Sequence, residues 1–191
     1  MKQDFNEDIK KACEVMMRGG VILYPTDTIW GIGCDATDPE AVKKVYELKQ
    51  RSDTKAMLVL VDSFVKVNYY VTDLPEMAYD LVDMSTKPLT IIYSKARNLA
   101  SNLIAQDGSV GIRVTNEDFS QALCRQFRKA IVSTSANESG QPSPACFADI
   151  SEEVKSKVDY IVGYRQNEKA GAKPSSIIKL GTNGEIEIIR K

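Results

Sequence analysis

Histidine is absent from the 191 residues of the sequence. A Ser–His or Cys–His nucleophile pair is therefore excluded, and so is an imidazole ligand for zinc. Any chemistry must come from lysine, arginine, carboxylates, hydroxyls or backbone amides. From the residues alone we assign no catalytic general base and no metal site.

Other features that would sort the chain into a special class are also missing. The 25 Lys and Arg residues nearly balance the 26 Asp and Glu residues, so the net charge is −1. This balance argues against a dedicated nucleic-acid binder. No apolar run approaches the roughly 20 residues of a membrane span, and the N-terminus lacks an apolar signal core. We expect a cytoplasmic protein with no membrane partner.

Cysteine is scarce as well, and its spacing excludes a C-x-x-C pair. The four residues are Cys13, Cys34, Cys124 and Cys146. In a protein of the cytoplasm we expect reduced thiols, most of them buried.

The length and patterning of the chain favour one domain over residues 1–191. Hydrophobic residues make up 43% and charged residues 27%, as in ordinary globular proteins. Alternating helix and strand patterns favour an α/β fold, and a terminal hairpin at 182–184 favours a mixed, twisted open sheet flanked by helices. The predicted helices are 5–18, one from Pro39, 76–84, and 116–128 capped by Asn116; the predicted strands are 21–24, 57–61, 89–93, 110–114, 130–133, 160–162, 176–180 and 185–189.

A basic segment follows the second predicted helix. Residues 43–55 carry five Lys and Arg against two acidic side chains, a local charge of +3. Lys49, Arg51 and Lys55 converge on a turn, where they would neutralise the oxygens of a polyphosphate. The alternative is a solvated helix end, where the helix dipole favours cations.

Two more segments carry polar groups next to predicted strands. Residues 133–143 present hydroxyls and an amide that suit phosphate or carboxylate oxygens; the alternative is an ordinary turn-rich connection. Arg113 lies on an apolar strand, where its charge must be paired. A bound carboxylate or phosphate would pair it, and the alternative partner is an internal Asp or Glu.

The glycine-rich phosphate motifs are absent. No G-x-x-x-x-G-K-[ST] segment occurs, and no G-x-G-x-x-G follows a strand, so a P-loop and a dinucleotide-binding turn are excluded. Gly31-x-Gly33 is too short to count as either.

Taken together, these segments resemble the YrdC/Sua5 family of threonylcarbamoyl-AMP synthases. The sequence Pro-Thr-Asp-Thr-Ile-Trp-Gly-Ile-Gly at 25–33 is similar to the opening motif of that family, and 49–55 has its Lys-x-Arg-x-x-x-Lys pattern. Further motifs of the family match 111–114, 133–140, 174–177 and 189–190. The matches run in order over residues 9–190. The resemblance implies a YrdC-like fold in the short form, without the C-terminal Sua5 domain.

The resemblance also implies an activity, that of an L-threonylcarbamoyladenylate synthase. Such a nucleotidyltransferase condenses L-threonine, bicarbonate and ATP, with Mg²⁺ on the nucleotide and no organic cofactor, for t6A formation at tRNA position 37. It implies tRNA or double-stranded RNA as a partner, together with downstream t6A transferase machinery. The implied ATP-binding residues are Lys49, Arg51, Lys55, Ser109, Ser135, Asn137, Ser143 and Arg190. The implied threonine-binding residues are Thr28, Arg113 and Ser133.

The sequence departs from the family pattern at a few positions. Leu60 stands where many members have a histidine near the threonine, and this bears on threonine selectivity. The other departures are Trp30 for Tyr, Ala56-Met57 for Pro-Leu, and Ser176 for Thr. Two alternative functions stay open: a non-catalytic YrdC-like protein that binds structured RNA, and a carbamoyl-handling enzyme with another acceptor, since hydrogenase-maturation proteins contain a similar domain.

Overall fold

The computed structural model describes residues 4–50, 57–169 and 173–191. The helices are α1 (Asn6–Met17), α2 (Pro39–Leu48), α3 (Phe64–Tyr70), α4 (Met77–Asp83), α5 (Asp118–Phe127) and α6 (Glu152–Ser156), with a 3₁₀ turn at Phe147–Asp149. The strands are β1 (Ile22–Tyr24), β2 (Gly31–Gly33), β3 (Leu58–Val61), β4 (Leu89–Tyr93), β5 (Val110–Val114), β6 (Ile131–Ser135), β7 (Tyr160–Ile161), β8 (Ser176–Leu180) and β9 (Ile186–Arg190).

In the part of the chain that the structure describes, the nine strands form one sheet in the order β7-β1-β2-β6-β3-β5-β4-β8-β9. The pairs β1–β7, β3–β5 and β4–β8 are parallel, and the other neighbouring pairs are antiparallel. Helix α1 packs on α5, β1 and β7, while α3 and α5 pack on β3. The predicted mixed α/β sheet flanked by helices is confirmed.

Most predicted elements are confirmed to within two residues, and the differences have local causes. Helix α5 is capped by Glu117, whose carboxylate accepts a hydrogen bond from the Ser120 N–H at 2.7 Å, so the prediction of Asn116 as the cap was wrong. Helices α3 and α6 were not predicted. They have seven and five residues, too few to show a helical period in the sequence.

Strand β2 was predicted as a loop, and its glycines explain why it is a strand. A Cβ atom on Gly33 would lie 2.6 Å from Tyr24 Cε1 and 2.7 Å from the Val132 carbonyl oxygen. Only a residue without a side chain lets β2 run this close to β1 and β6. Gly33 therefore serves strand packing.

The strand registers place several residues of the candidate site opposite one another on neighbouring strands. Leu60 on β3 pairs with Arg113 on β5, and Ile177 on β8 pairs with both Thr90 on β4 and Arg190 on β9. Because directly paired residues point to the same face of a sheet, side chains from five strands share one face in this row.

The four cysteines are free thiols, of which Cys13, Cys34 and Cys124 are buried and Cys146 is half-buried, as predicted. Burial raises the pKa of Cys13 to about 11 and the pKa values of Cys34 and Cys124 further still, which keeps these thiols protonated. Across the described residues, the structure contains no helix both long enough and apolar enough to span a membrane.

We expect Gly33→Ala to destabilise the fold by about 1–3 kcal/mol, the usual cost of overpacking, because the new methyl group would collide with a backbone carbonyl that has little room to move. Urea unfolding measures the loss. Gly163→Ala is the matched control, since its Cβ would lie 3.5 Å from the Asp8 carboxylate oxygens, an ordinary contact. Equal stability of the two variants would contradict the packing role of Gly33.

Candidate active site

A cavity of about 310 Å³ brings together side chains that lie far apart in the sequence. It is lined by residues of β2, β3, β4, β5, β6 and β8, by the loop after β1 and by the end of β9. Seven of the eleven predicted site residues line it: Thr28, Ser109, Arg113, Ser133, Ser135, Ser143 and Arg190.

Arg113 is the most buried charge in the cavity wall, with 3% of its surface exposed. Its Nη2 lies 3.0 Å from Asp27 Oδ1 and donates a hydrogen bond to Thr28 Oγ1 at 3.2 Å. The internal carboxylate that the sequence left open as an alternative partner is therefore Asp27. Burial raises the pKa of Asp27 even though the Arg113 charge lowers it, so desolvating this carboxylate is costly.

Hydroxyl groups in the loop after β1 fix the orientation of Thr28. The Thr26 hydroxyl donates to the Ile29 carbonyl oxygen at 2.8 Å, so its single proton is committed. Its oxygen then accepts from both the hydroxyl and the backbone N–H of Thr28, at 3.0 and 3.1 Å. The Thr28 hydroxyl oxygen consequently uses a lone pair to accept the hydrogen bond from Arg113.

A second arginine lies near Arg113. Arg190 Nε donates to the Ser175 carbonyl oxygen at 2.9 Å, and the Ser175 hydroxyl lies 2.8 Å from the Thr90 hydroxyl. Arg113 Nη1 is 3.5 Å from that same Thr90 oxygen. Burial, together with the charge of Arg113, lowers the pKa of Arg190. Two cations that repel each other in one cavity favour an anionic ligand between them.

The structure adds Asp27, Thr90 and Ser175 to the residues predicted from the sequence. Thr90 and Ser175 line the cavity and are almost fully buried. Ser175 belongs to a family motif, and Thr90 is a lone polar residue in an apolar strand, which is the signal that would have identified it.

Lys49 and Asn137 hold the loop after β6. Lys49 Nζ, almost fully buried, donates to the backbone oxygens of Ser135 and Asn137, both at 2.6 Å, and to Asn137 Oδ1 at 3.1 Å. The Asn137 amide donates to the backbone oxygens of Glu138 and Gln141. Both predicted residues thus shape the wall that Ser135 presents to the cavity.

Ser109 stands at the other end of β5 from Arg113. Its hydroxyl donates to Asp107 Oδ1 at 2.6 Å, and Lys179 pairs with the same carboxylate at 3.0 Å. These contacts lower the pKa of Asp107 to about 2. With its proton committed, the Ser109 oxygen acts as an acceptor.

The remaining predicted residues are placed as follows. Arg51, Lys55 and Ala56 lie outside the described residues. Met57 and Trp30 line the cavity, and the Trp30 ring lies 4.8 Å from that of Phe147. Leu60 is fully buried and pairs with Arg113 in the sheet, and it is not among the residues that line the cavity.

Comparison with known proteins gives consistent matches over nearly the whole chain. The family model Sua5_yciO_yrdC, described as telomere recombination, matches residues 14–191. A protein of Pseudoalteromonas translucida (strain TAC 125), named threonylcarbamoyl-AMP synthase, is 33% identical over 182 residues, which cover 93% of this chain and 95% of the relative.

Two solved structures share the fold. E. coli YciO matches with a TM-score of 0.83 at 24% identity, over 97% of this chain and 89% of that one. P. abyssi Sua5 complexed with L-threonine also has a TM-score of 0.83 at 24% identity, over 94% of this chain. The match spans 52% of that longer protein.

We expect Asp27→Asn to destabilise the protein by about 3–5 kcal/mol, because it leaves the buried Arg113 guanidinium without a carboxylate. Urea unfolding at neutral pH measures the change. Combining Asp27→Asn with Arg113→Met should recover most of the loss, since both charges are then gone.

The control is Asp73→Asn, which removes a carboxylate from the exposed Lys95–Asp73 pair, and we expect no measurable change from it. Equal effects of the two single variants would show that burial adds nothing to the Arg113–Asp27 pair.

Proposed function

The chain belongs to the Sua5/YciO/YrdC family, and we propose that it is an L-threonylcarbamoyladenylate synthase. It condenses L-threonine, bicarbonate and ATP to threonylcarbamoyl-AMP and pyrophosphate, for t6A formation in tRNA. The observation that carries the proposal is a single cavity in which the buried Arg113, the exposed Arg190 and several hydroxyls meet. The Pseudoalteromonas translucida relative, which covers nearly the whole chain, supports it.

We assign L-threonine to the end of the cavity that holds Arg113, Thr28 and Ser133. A planar guanidinium suits a carboxylate in two-point contact. Arg113 is held by Thr28 and Asp27, so it is already oriented before an amino acid binds. That P. abyssi Sua5, which shares this fold, forms a complex with L-threonine supports an amino-acid site.

We assign ATP to Ser109, Ser135, Ser143 and Arg190, which line the same cavity. Lys49 and Asn137 set the shape of the loop that carries Ser135. Arg51 and Lys55, from the Lys-x-Arg-x-x-x-Lys motif, complete the assignment as cations for the phosphates. Mg²⁺ arrives bound to the phosphate oxygens of the nucleotide.

The reaction proceeds by two bond-forming steps. The neutral threonine amine attacks the carbon of bicarbonate or CO₂. With CO₂ the nitrogen then loses a proton to solvent, and with bicarbonate that proton leaves together with the departing hydroxide as water. An oxygen of the resulting carbamate attacks the α-phosphorus of ATP, and the bond to the leaving pyrophosphate breaks. The protein aligns both substrates and neutralises their charges, tasks that need no histidine.

The product is an activated carbamoyl group, which the t6A transferase machinery consumes on tRNA in the cytoplasm. Direct binding of tRNA or double-stranded RNA to this chain would shorten the distance over which the activated carbamoyl group is transferred. The two alternative functions predict different assay results, so one experiment separates all three.

We expect purified protein to release pyrophosphate from ATP only when threonine and bicarbonate are both present. A coupled pyrophosphate assay with each substrate left out in turn measures this dependence. ATP turnover that is equal without threonine would contradict the assignment and favour another carbamoyl acceptor. Absence of turnover together with tight binding of structured RNA would favour the non-catalytic alternative.

Arg113→Lys should raise the threonine KM at least about tenfold, equivalent to about 1.4 kcal/mol, because lysine keeps the charge but loses the planar fork. ATP affinity measured without threonine should change much less. Arg97→Lys is the control, since Arg97 contacts exposed backbone oxygens of Asn68 and Tyr69. Normal threonine dependence with poor ATP binding would place Arg113 at the phosphates.

A further inference from the structure

Gly111 lies in the part of the cavity wall that β5 forms, which we call the cavity floor. Gly111 and Arg113 lie on β5, and Ser109 immediately precedes it; the three residues alternate along the chain, and all three line the cavity. With a rise of about 3.3 Å per residue, the Cα atoms of Ser109 and Arg113 are about 13 Å apart, and Gly111 is halfway between them.

The fold itself does not require a glycine at this position. A Cβ atom on Gly111 would lie 3.4 Å from both Leu58 Cβ and Thr90 Cγ2, which are ordinary contacts. Its φ lies outside the left-handed region that favours glycine. Gly33 differs, because its Cβ would come within 2.6 Å of Tyr24.

Glycine in the interior of a strand nevertheless has a cost. It loses more conformational freedom on folding than alanine does, and it has no side chain to pack. When neither packing nor backbone geometry explains such a residue, the remaining physical reason is the close approach of a ligand to the backbone.

We propose that the absence of a side chain at Gly111 keeps the cavity floor open where the two substrates react. The inference rests on the proposed function, which assigns threonine to the Arg113 end of this row of residues and gives Ser109, at the other end, a contact to ATP. In an α-amino acid one carbon separates the amine from the carboxylate, so the carbamate forms close to Arg113. Its oxygen must reach the α-phosphorus between the two ends, over the bare backbone of Gly111.

Gly111→Ala tests this role. The new methyl group would leave the fold intact but displace the reacting atoms from each other. A displacement of about 1 Å can reduce turnover about 100-fold, so we expect threonine-dependent pyrophosphate release to fall at least about tenfold. ATP affinity without threonine, measured by calorimetry, should stay close to that of the wild type, and Tm should not fall.

Gly163→Ala is the matched control, because it makes the same change on an exposed segment outside the cavity, with its Cβ in ordinary contact. We expect wild-type turnover and Tm from it.

Three results for Gly111→Ala would overturn the inference: turnover close to the wild type, a fall in Tm that Gly163→Ala does not show, or a loss of ATP affinity as large as the loss of turnover. The last would place Gly111 in the nucleotide subsite alone. Wild-type protein without threonine-dependent pyrophosphate release would instead overturn the proposed function.

Discussion

A guanidinium buried on an apolar strand must have a partner, and the candidate site is organised around that requirement. Arg113 on β5 is paired with Asp27, which ties the loop after β1 to the middle of the sheet. The same loop is held from its other side by Arg165, which donates to the Thr26 carbonyl oxygen at 3.0 Å and lies 3.4 Å from Glu117. Since Glu117 also caps α5, the position of the loop depends on a helix end as well as on a strand.

Charge in this cavity is arranged to meet anions. Arg113 and Arg190 both line it. Arg113 is paired with the Asp27 carboxylate and the Thr28 hydroxyl, and Arg190 donates to the Ser175 carbonyl oxygen, which makes the repulsion between the two guanidinium groups tolerable. Lys49 is a second buried cation, whose ammonium group is satisfied by the loop after β6. In the function we propose, this site would catalyse by holding two negatively charged groups together, the carbamate and the nucleotide, a task that needs no histidine.

Two glycines of the sheet illustrate how the same residue serves different ends. At Gly33 the neighbouring strands are too close for any side chain, so the fold decides the residue. At Gly111 there is room for a methyl group, and we explain the glycine by the reacting atoms of the two substrates, which must approach each other above it. In the sequence, both residues are glycines in or near apolar strands and cannot be told apart. The distances from an added Cβ atom to its neighbours distinguish a glycine required by packing from one that is not.

The sequence by itself determined the α/β class, most of the helices and strands, and seven side chains that line the cavity. Apolar periodicity and motif spacing are local properties of the sequence, so they can be recognised without knowledge of the tertiary structure. The partner of Arg113, the Thr90–Ser175 pair and the supporting role of Lys49 were decided by tertiary structure. In each case the register of the sheet or the packing of a loop brings together residues dozens of positions apart, and no local pattern encodes that distance.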